Sequence, residues 1–376
     1  MERNDSTVRI MLVGGGTGGH FYPLIAIAEA LNSTPERPRL YYAGPVPYDS
    51  AALEKEGITY VSVPAGKKRR YKSVLNIIDL FKTVVGVLIA ILKLYSIYPD
   101  VIMSKGGYTS VPVVIAGAFL RIPIIVHESD AVMGKANEIA RSFARAIIVS
   151  YAELATSLAH PHVHTWGIPI RKVFMSNPSP EAIANLGIDP NRPLILVLGG
   201  SQGAERINEL ILDSLDELLQ EYSIVHQTGP SQLELCTLSA NSLIPDTERR
   251  QHYHPLAFLE ASLLNDAYHM AQLVISRGGS NSIYEIALHA KPAIIIPIPE
   301  TISHDQRTNA YSYARTGAAI VLEEENMSDN LLQAEIERIM QSDSVYQNMV
   351  QSAKTFARND ASVQISALLL DTAKQH

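Results

Sequence analysis

Four short apolar runs each end in a glycine loop, and the polar residues at those loops are the ones able to do chemistry. Val8 to Val13 runs into Gly14-Gly15-Gly16-Thr17-Gly18-Gly19, then His20 and a helical run from about Pro23 to Leu31. Val101 to Met103 runs into Ser104-Lys105-Gly106-Gly107-Tyr108. Leu194 to Leu198 runs into Gly199-Gly200-Ser201-Gln202-Gly203-Ala204, then a helix from about Arg206 to Leu219. Leu273 to Ile275 runs into Ser276-Arg277-Gly278-Gly279-Ser280-Asn281-Ser282, then a helix through Ile283, Tyr284, Glu285 and on to His289. Such a loop lets a ligand approach the backbone closely, and the helix after it offers free N–H groups and a partial positive charge. Four of them point to a phosphate-bearing ligand bound between two halves of the chain. An imidazole in a first helical turn, as at His20, is kept neutral and suits removal of a proton from a hydroxyl; a structural histidine is the alternative. A carboxylate such as Glu285, on the helix after a loop, can accept both hydroxyls of a ribose. Ser280, Asn281 and Ser282 can cap that helix or meet the ligand.

The elements that position these residues alternate between short apolar strands and helices, the pattern of a parallel sheet covered on both faces. The 376 residues, 47% of them hydrophobic and 18% charged, suffice for two cores. The expected fold is α/β: two Rossmann-like domains facing across a cleft, with no low-complexity segment. A stretch from Gly167 to Pro193 holds five prolines and suits a linker. The expected boundaries are 1–170 for the first domain and 171–351 for the second, with a helix over about 352–376 packing back on the first. The net charge of −7 argues against nucleic acid as a partner. A single cysteine, Cys236, excludes an internal disulfide and a cysteine-based zinc site and fits a cytoplasmic compartment. Met1 to Val8 lacks the charged start and apolar core of a signal peptide.

The first loop matches G-x-G-x-x-G at Gly14, Gly16 and Gly19. A dinucleotide site would also want an acid at the end of the next strand, and Leu40-Tyr41-Tyr42-Ala43 has none. Gly15-Gly16-Thr17-Gly18-Gly19-His20, followed by Tyr22-Pro23, instead resembles the opening of the MurG family of N-acetylglucosaminyltransferases, of the GT-B fold. Gly106-Gly107-Tyr108, His127-Glu128, the loop from Gly199 to Ala204, Arg277-Gly278-Gly279 through Glu285, Gln306 and Asn309-Ala310 follow in the family's order. The resemblance runs from about residue 8 to residue 322. Three positions depart from the family's usual pattern: Ser129-Asp130 replaces Gln-Asn, and Ile168 replaces the Asn in Gly-Asn-Pro-x-Arg.

The resemblance implies transfer of N-acetylglucosamine from UDP-GlcNAc to the 4-hydroxyl of the MurNAc unit of an undecaprenyl-diphosphate-linked precursor (lipid I to lipid II), by one inverting displacement in peptidoglycan synthesis. It implies His20 or Glu128 as general base. It implies donor contacts from Thr17, Gly18, Gly19, Asp130, Arg171, Ser201, Gln202, Ser280, Asn281, Ser282, Ile283, Tyr284, Glu285, Gln306 and Asn309. Phe258-Leu259 would flank the uracil. The acceptor's diphosphate would meet Gly15, Gly16, Gly106, Gly107 and Tyr108. No D-x-D metal motif occurs, so no metal and no tightly bound cofactor is expected; Arg171 and helix termini would balance the leaving UDP.

Lys67, Lys68, Arg69, Arg70 and Lys72 form the densest basic cluster. The apolar run Val74 to Tyr95, including Phe81, follows it. Asn76, Asp79, Lys82, Thr83 and Lys93 within that run fall inside about 120° of a helical wheel, which predicts an amphipathic surface helix rather than a spanning one. A basic cluster beside surplus apolar surface reads as attachment to an anionic membrane. The expected place is therefore the cytoplasmic face of the bacterial membrane, as a peripheral enzyme, with other cell-wall synthesis proteins as candidate partners. Rival readings are a nicotinamide-dependent oxidoreductase, a transferase of the same fold using another lipid such as diacylglycerol, and a non-catalytic nucleotide-sugar subunit.

Overall fold

A computed structural model describes residues 7–66, 75–200, 202–299 and 304–376. The chain divides into two compact units, Met1–Lys172 with Arg358–His376, and Val173–Ala357.

The first unit carries seven strands: β1 (Arg9–Val13), β2 (Arg39–Gly44), β3 (Thr59–Ser62), β4 (Val101–Ser104), β5 (Ile124–Glu128), β6 (Ala144–Val149) and β7 (Val163–Thr165). They pair in parallel in the order β3-β2-β1-β4-β5-β6-β7. Residues along β1 alternate between two cores. Ile10 and Leu12 pack with the helices Gly18–Asn32 and Ala361–Lys374, through Phe21, Leu24, Ile365 and Leu369. Met11 and Val13 pack on the other face, with Ala90, Leu94 and Val113. The C-terminal helix is joined to the first one by Ser366 Oγ donating to Ile27 O (3.4 Å), and to the turn after it by Lys374 paired with Glu36 (2.8 Å).

The second unit carries β8 (Leu194–Leu198), β9 (Ser223–Gln227), β10 (Tyr253–Leu256), β11 (Ala271–Ser276), β12 (Ala293–Ile295) and β13 (Ala319–Val321), parallel in the order β10-β9-β8-β11-β12-β13. The single helix expected from about 206 to 219 is two, Glu205–Asp213 and Leu215–Glu221. They part at Ser214, whose hydroxyl bonds back to Leu210 O (2.9 Å), the local competition that makes serine a poor helix interior residue.

The helix Leu75–Ile97 packs on the first unit along one narrow side. A Cβ at Gly86 would lie 2.0 Å from Pro64 O, so backbone meets backbone there. The packed residues are Asp79, Gly86, Ala90 and Leu94. On a helical wheel this side coincides with the centre of the polar stripe, which therefore points inward, with Thr83 Oγ1 accepting from Gly66 N (3.2 Å). Leu80, Phe81, Val84, Leu88, Leu92 and Tyr95 occupy the opposite, exposed face, Phe81 at 69%. By length and composition the stretch Asp79–Ile97 is apolar enough to cross a membrane, and only 17% of that window is buried. The basic cluster at 67–70 and 72 lies outside the described residues.

Candidate active site

In each unit the two glycine loops leave the carboxyl ends of adjacent strands at which the strand order reverses. These are β1 and β4 in the first unit and β8 and β11 in the second. That switch point is where open parallel sheets bind ligands.

In the first unit, Gly107 (φ +77°) follows β4, and a Cβ there would lie 2.7 Å from Gly15 O. A glycine at this position lets the two loops touch. The helix Gly18–Asn32 starts five residues before the expected Pro23, which puts His20 in its first turn. Thr17 is the cap residue, but its hydroxyl pairs with His20 Nδ1 (2.8 Å) and caps no backbone amide. His20 is half-buried. Burial and the neighbouring Lys105 cation push its imidazole down to about 4, against an opposing pull from Asp130. Gly15, Gly16, Thr17, Gly18 and Gly19 lead directly into this histidine, a Cβ on Gly107 would come 3.6 Å from its ring, one on Gly16 would meet the Tyr108 ring at 2.8 Å, and one on Gly106 would meet Asn137.

Glu128 ends β5, beside β4. Its Oε1 accepts from Asp130 N (3.0 Å); its Oε2 accepts from Gly134 N and Asn137 Nδ2 (2.9 Å each). Burial, then Asp130, raises its pKa above the usual carboxylate value. Both oxygens are engaged, so this side chain ties the loop after β5 to the helix Lys135–Ala140. His127 Nε2 donates to Gly167 O (2.9 Å). The Arg171 guanidinium lies 4.1 Å from the centre of the Tyr22 ring, so it belongs to the first unit. By its sequence Lys105 is only a member of the loop after β4. It is 1% exposed, and its ammonium donates to the Ser129 hydroxyl.

In the second unit, Gly203 (φ +78°) would clash if it carried a side chain, since a Cβ would meet Thr228 O at 2.1 Å. Gln202 is exposed in that loop, and Ser201 lies outside the described residues. Gln227, which the sequence reading passed over, donates to Gly200 O (2.9 Å) and accepts from Leu259 N (3.0 Å). It joins the loop after β8 to the Phe258-Leu259 segment. Ser280, Asn281 and Ser282 form the first turn of the helix Ser280–Leu288, with Gly279 as cap. Ile283 and Tyr284 are buried in it, Tyr284 against Phe356 (centroids 4.8 Å). Glu285 is half-buried, and the buried Tyr268 hydroxyl donates to its Oε2 (3.2 Å). The Tyr268 ring stacks on His289 (4.8 Å, 22°) and meets Phe174 edge-on (6.2 Å). Tyr268, too, was missed: it lies on the helix Ala261–Met270, where nothing in the local pattern marks it. Gln306 Oε1 accepts from Ile298 N (3.4 Å), and buried Asn309 donates to Gly278 O (3.3 Å), so the helix His304–Ala314 braces the segment after β12 and the loop after β11. Among the described residues, no three His, Cys, Asp or Glu side chains gather closely enough to hold a metal ion.

The chain matches the glycosyltransferase family 28 N-terminal domain over residues 10–149 and the family's C-terminal domain over residues 194–365. It is 36% identical over 340 residues to a UDP-N-acetylglucosamine--N-acetylmuramyl-(pentapeptide) pyrophosphoryl-undecaprenol N-acetylglucosamine transferase of Bacillus cereus, covering 90% of this chain and 93% of that one. A protein of the same name from Clostridium botulinum is 33% identical over 348 residues, with 92% and 95% covered. The crystal structure of Acinetobacter baumannii MurG superposes with a TM-score of 0.76 at 22% identity, over 97% of this chain and 99% of that one.

Proposed function

The chain belongs to glycosyltransferase family 28, among the transferases that act on pyrophosphoryl-undecaprenol precursors, and on that premise we propose that it moves N-acetylglucosamine from UDP-GlcNAc to the 4-hydroxyl of the lipid-linked MurNAc-pentapeptide. The observation that carries this reading is the doubled switch point, with two glycine loops at β1/β4 and two at β8/β11. A hydride-transfer site would need one such set and an acid at the end of β2, whose last residues are Tyr42-Ala43-Gly44.

The second unit takes the donor. Glu285, oriented by Tyr268, accepts the ribose hydroxyls; the loop after β8 and the helix start at Ser280 receive phosphate; Gln306 and Asn309 read the sugar. Arg171, in the first unit, offers positive charge to a diphosphate. The first unit takes the acceptor at the loops after β1 and β4. In the tautomer whose Nδ1–H donates to the Thr17 hydroxyl, His20 Nε2 is the atom that takes the acceptor's proton. One direct displacement then turns the α-linked donor into a β-linked product. Glu128, with both oxygens engaged, shapes this site rather than accepting the proton.

The membrane is the surface that fits the helix Leu75–Ile97. Its apolar face looks outward, and Lys82 and Lys93 lie exposed along one edge of its packed side, with the basic cluster directly preceding in sequence. The enzyme would then sit peripherally on the cytoplasmic leaflet, where an undecaprenyl acceptor is presented. The test is a transfer assay with labelled UDP-GlcNAc, offering lipid I and diacylglycerol in parallel. Label on lipid I alone is expected; label on diacylglycerol alone would overturn the acceptor assignment.

A further inference from the structure

A fully buried lysine is costly unless its charge is answered. Lys105 is the first residue after β4. Its amide donates to Val13 O (2.8 Å), so its backbone is fixed against the end of β1. A Cβ placed on Gly14 would lie 2.7 Å from Lys105 Cβ. The side chain therefore runs beneath the first glycine loop, and its ammonium meets the Ser129 hydroxyl at the end of β5. Three strand ends, β1, β4 and β5, are thus linked through one residue, by its amide and its ammonium.

We propose that Lys105 is a positioning residue for the transfer reaction: it holds the Ser129–Asp130 turn in place and supplies the positive charge that answers Glu128 and Asp130 beside His20. This rests on the reading of His20 as general base and adds how that base is tuned. The groups bearing on His20 are Lys105, from the loop after β4, and Asp130, from the loop after β5. Those bearing on Lys105 are Glu128 and Asp130. Lys105 also faces His127, which burial drives well below its ordinary value. The two neighbours of His20 act in opposite directions: the lysine disfavours the imidazolium, and the aspartate favours it. A departing proton consequently finds His20 empty at neutral pH, and the site carries a cation to offset two carboxylates.

The opposition gives a test in which two variants move one quantity in opposite senses. Lys105→Met keeps the stem and removes the charge. The acid limb of its kcat–pH profile should shift upward, from the region set by an imidazole at about 4, by the part of the lowering that Lys105 supplies; burial, the larger cause, still holds it below the ordinary value near 6.5. Asp130→Asn should shift the same limb downward. UDP affinity of Lys105→Met, measured by calorimetry, should match the parent and serves as the check that the variant is folded. Both limbs unmoved, or moved in the same direction, would overturn the role of Lys105, provided His20→Ala has lost its activity. A His20→Ala enzyme with parental kcat would instead remove the base assignment, and the proposal falls with it. Should Lys105→Met not fold, the direction of the Asp130→Asn shift decides alone.

Discussion

Glu285→Ala removes a half-buried carboxylate that accepts from Tyr268 at 3.2 Å. A hydrogen bond to a charged group is worth about 1.5–3 kcal/mol. Losing one such bond to the ribose should weaken UDP binding about 10- to 150-fold, since about 1.4 kcal/mol is a factor of ten. A second cost falls on the protein. The Tyr268 hydroxyl is buried and loses this acceptor, a penalty of about 1–3 kcal/mol. For a unit of this size that lowers Tm by about 2–4 °C per kcal/mol. Tyr268→Phe separates the two costs. It removes the orienting bond and leaves the carboxylate, so it should change Tm less and weaken UDP by a smaller factor than Glu285→Ala. Calorimetric titration with UDP and a thermal scan of both variants measure this. A Glu285→Ala protein with a lowered Tm and parental UDP affinity would refute the ribose role, leaving Glu285 as a prop for Tyr268 alone.

His20→Ala should lower kcat by about 10²–10⁴-fold with little change in UDP affinity, read from steady-state rates at saturating donor. Glu128→Gln should lower kcat and Tm together, because an amide cannot accept all three hydrogen bonds that Glu128 receives; a loss of kcat at parental Tm would point to proton transfer instead. Replacing Leu88 and Leu92 by Glu should release the protein from anionic vesicles in a sedimentation assay, as should replacing Lys67, Lys68, Arg69 and Arg70 by Ser. Burial holds His226 at about 3 and His289 at about 4, both below their unfolded value near 6.5. Their neutral forms therefore favour the fold above pH about 6.5, and that stability is lost as pH falls toward the folded values; Tm should drop over this window, less steeply in His226→Gln.

The sheets were legible because their strands are short, apolar and flanked by glycine turns, and the loops because they follow those strands directly. The split at Ser214 was not, since a serine hydroxyl turning back on Leu210 looks like any helix residue in a wheel. The helix after the basic cluster shows the clearest gap. Its polar stripe is real, but a wheel has no inside, and only packing on Pro64 and on the helix Val111–Phe119 shows that the stripe faces the protein. Lys105 was hidden for a related reason. A lysine beside two glycines reads as solvated, and only the pairing of Val13 with Ser104 puts it under the first loop. Tyr268 and Gln227 carry no motif at all, and their roles come from partners 17 and 27 residues away in sequence, Glu285 and Gly200.

The central claim is transfer of N-acetylglucosamine onto the lipid-linked MurNAc 4-hydroxyl with inversion. It is tested most directly by incubating the purified protein with UDP-GlcNAc and lipid I and reading the new glycosidic bond by proton NMR. A β-(1→4) linkage in the product is expected. An α-linkage, or attachment at any other hydroxyl, would contradict it.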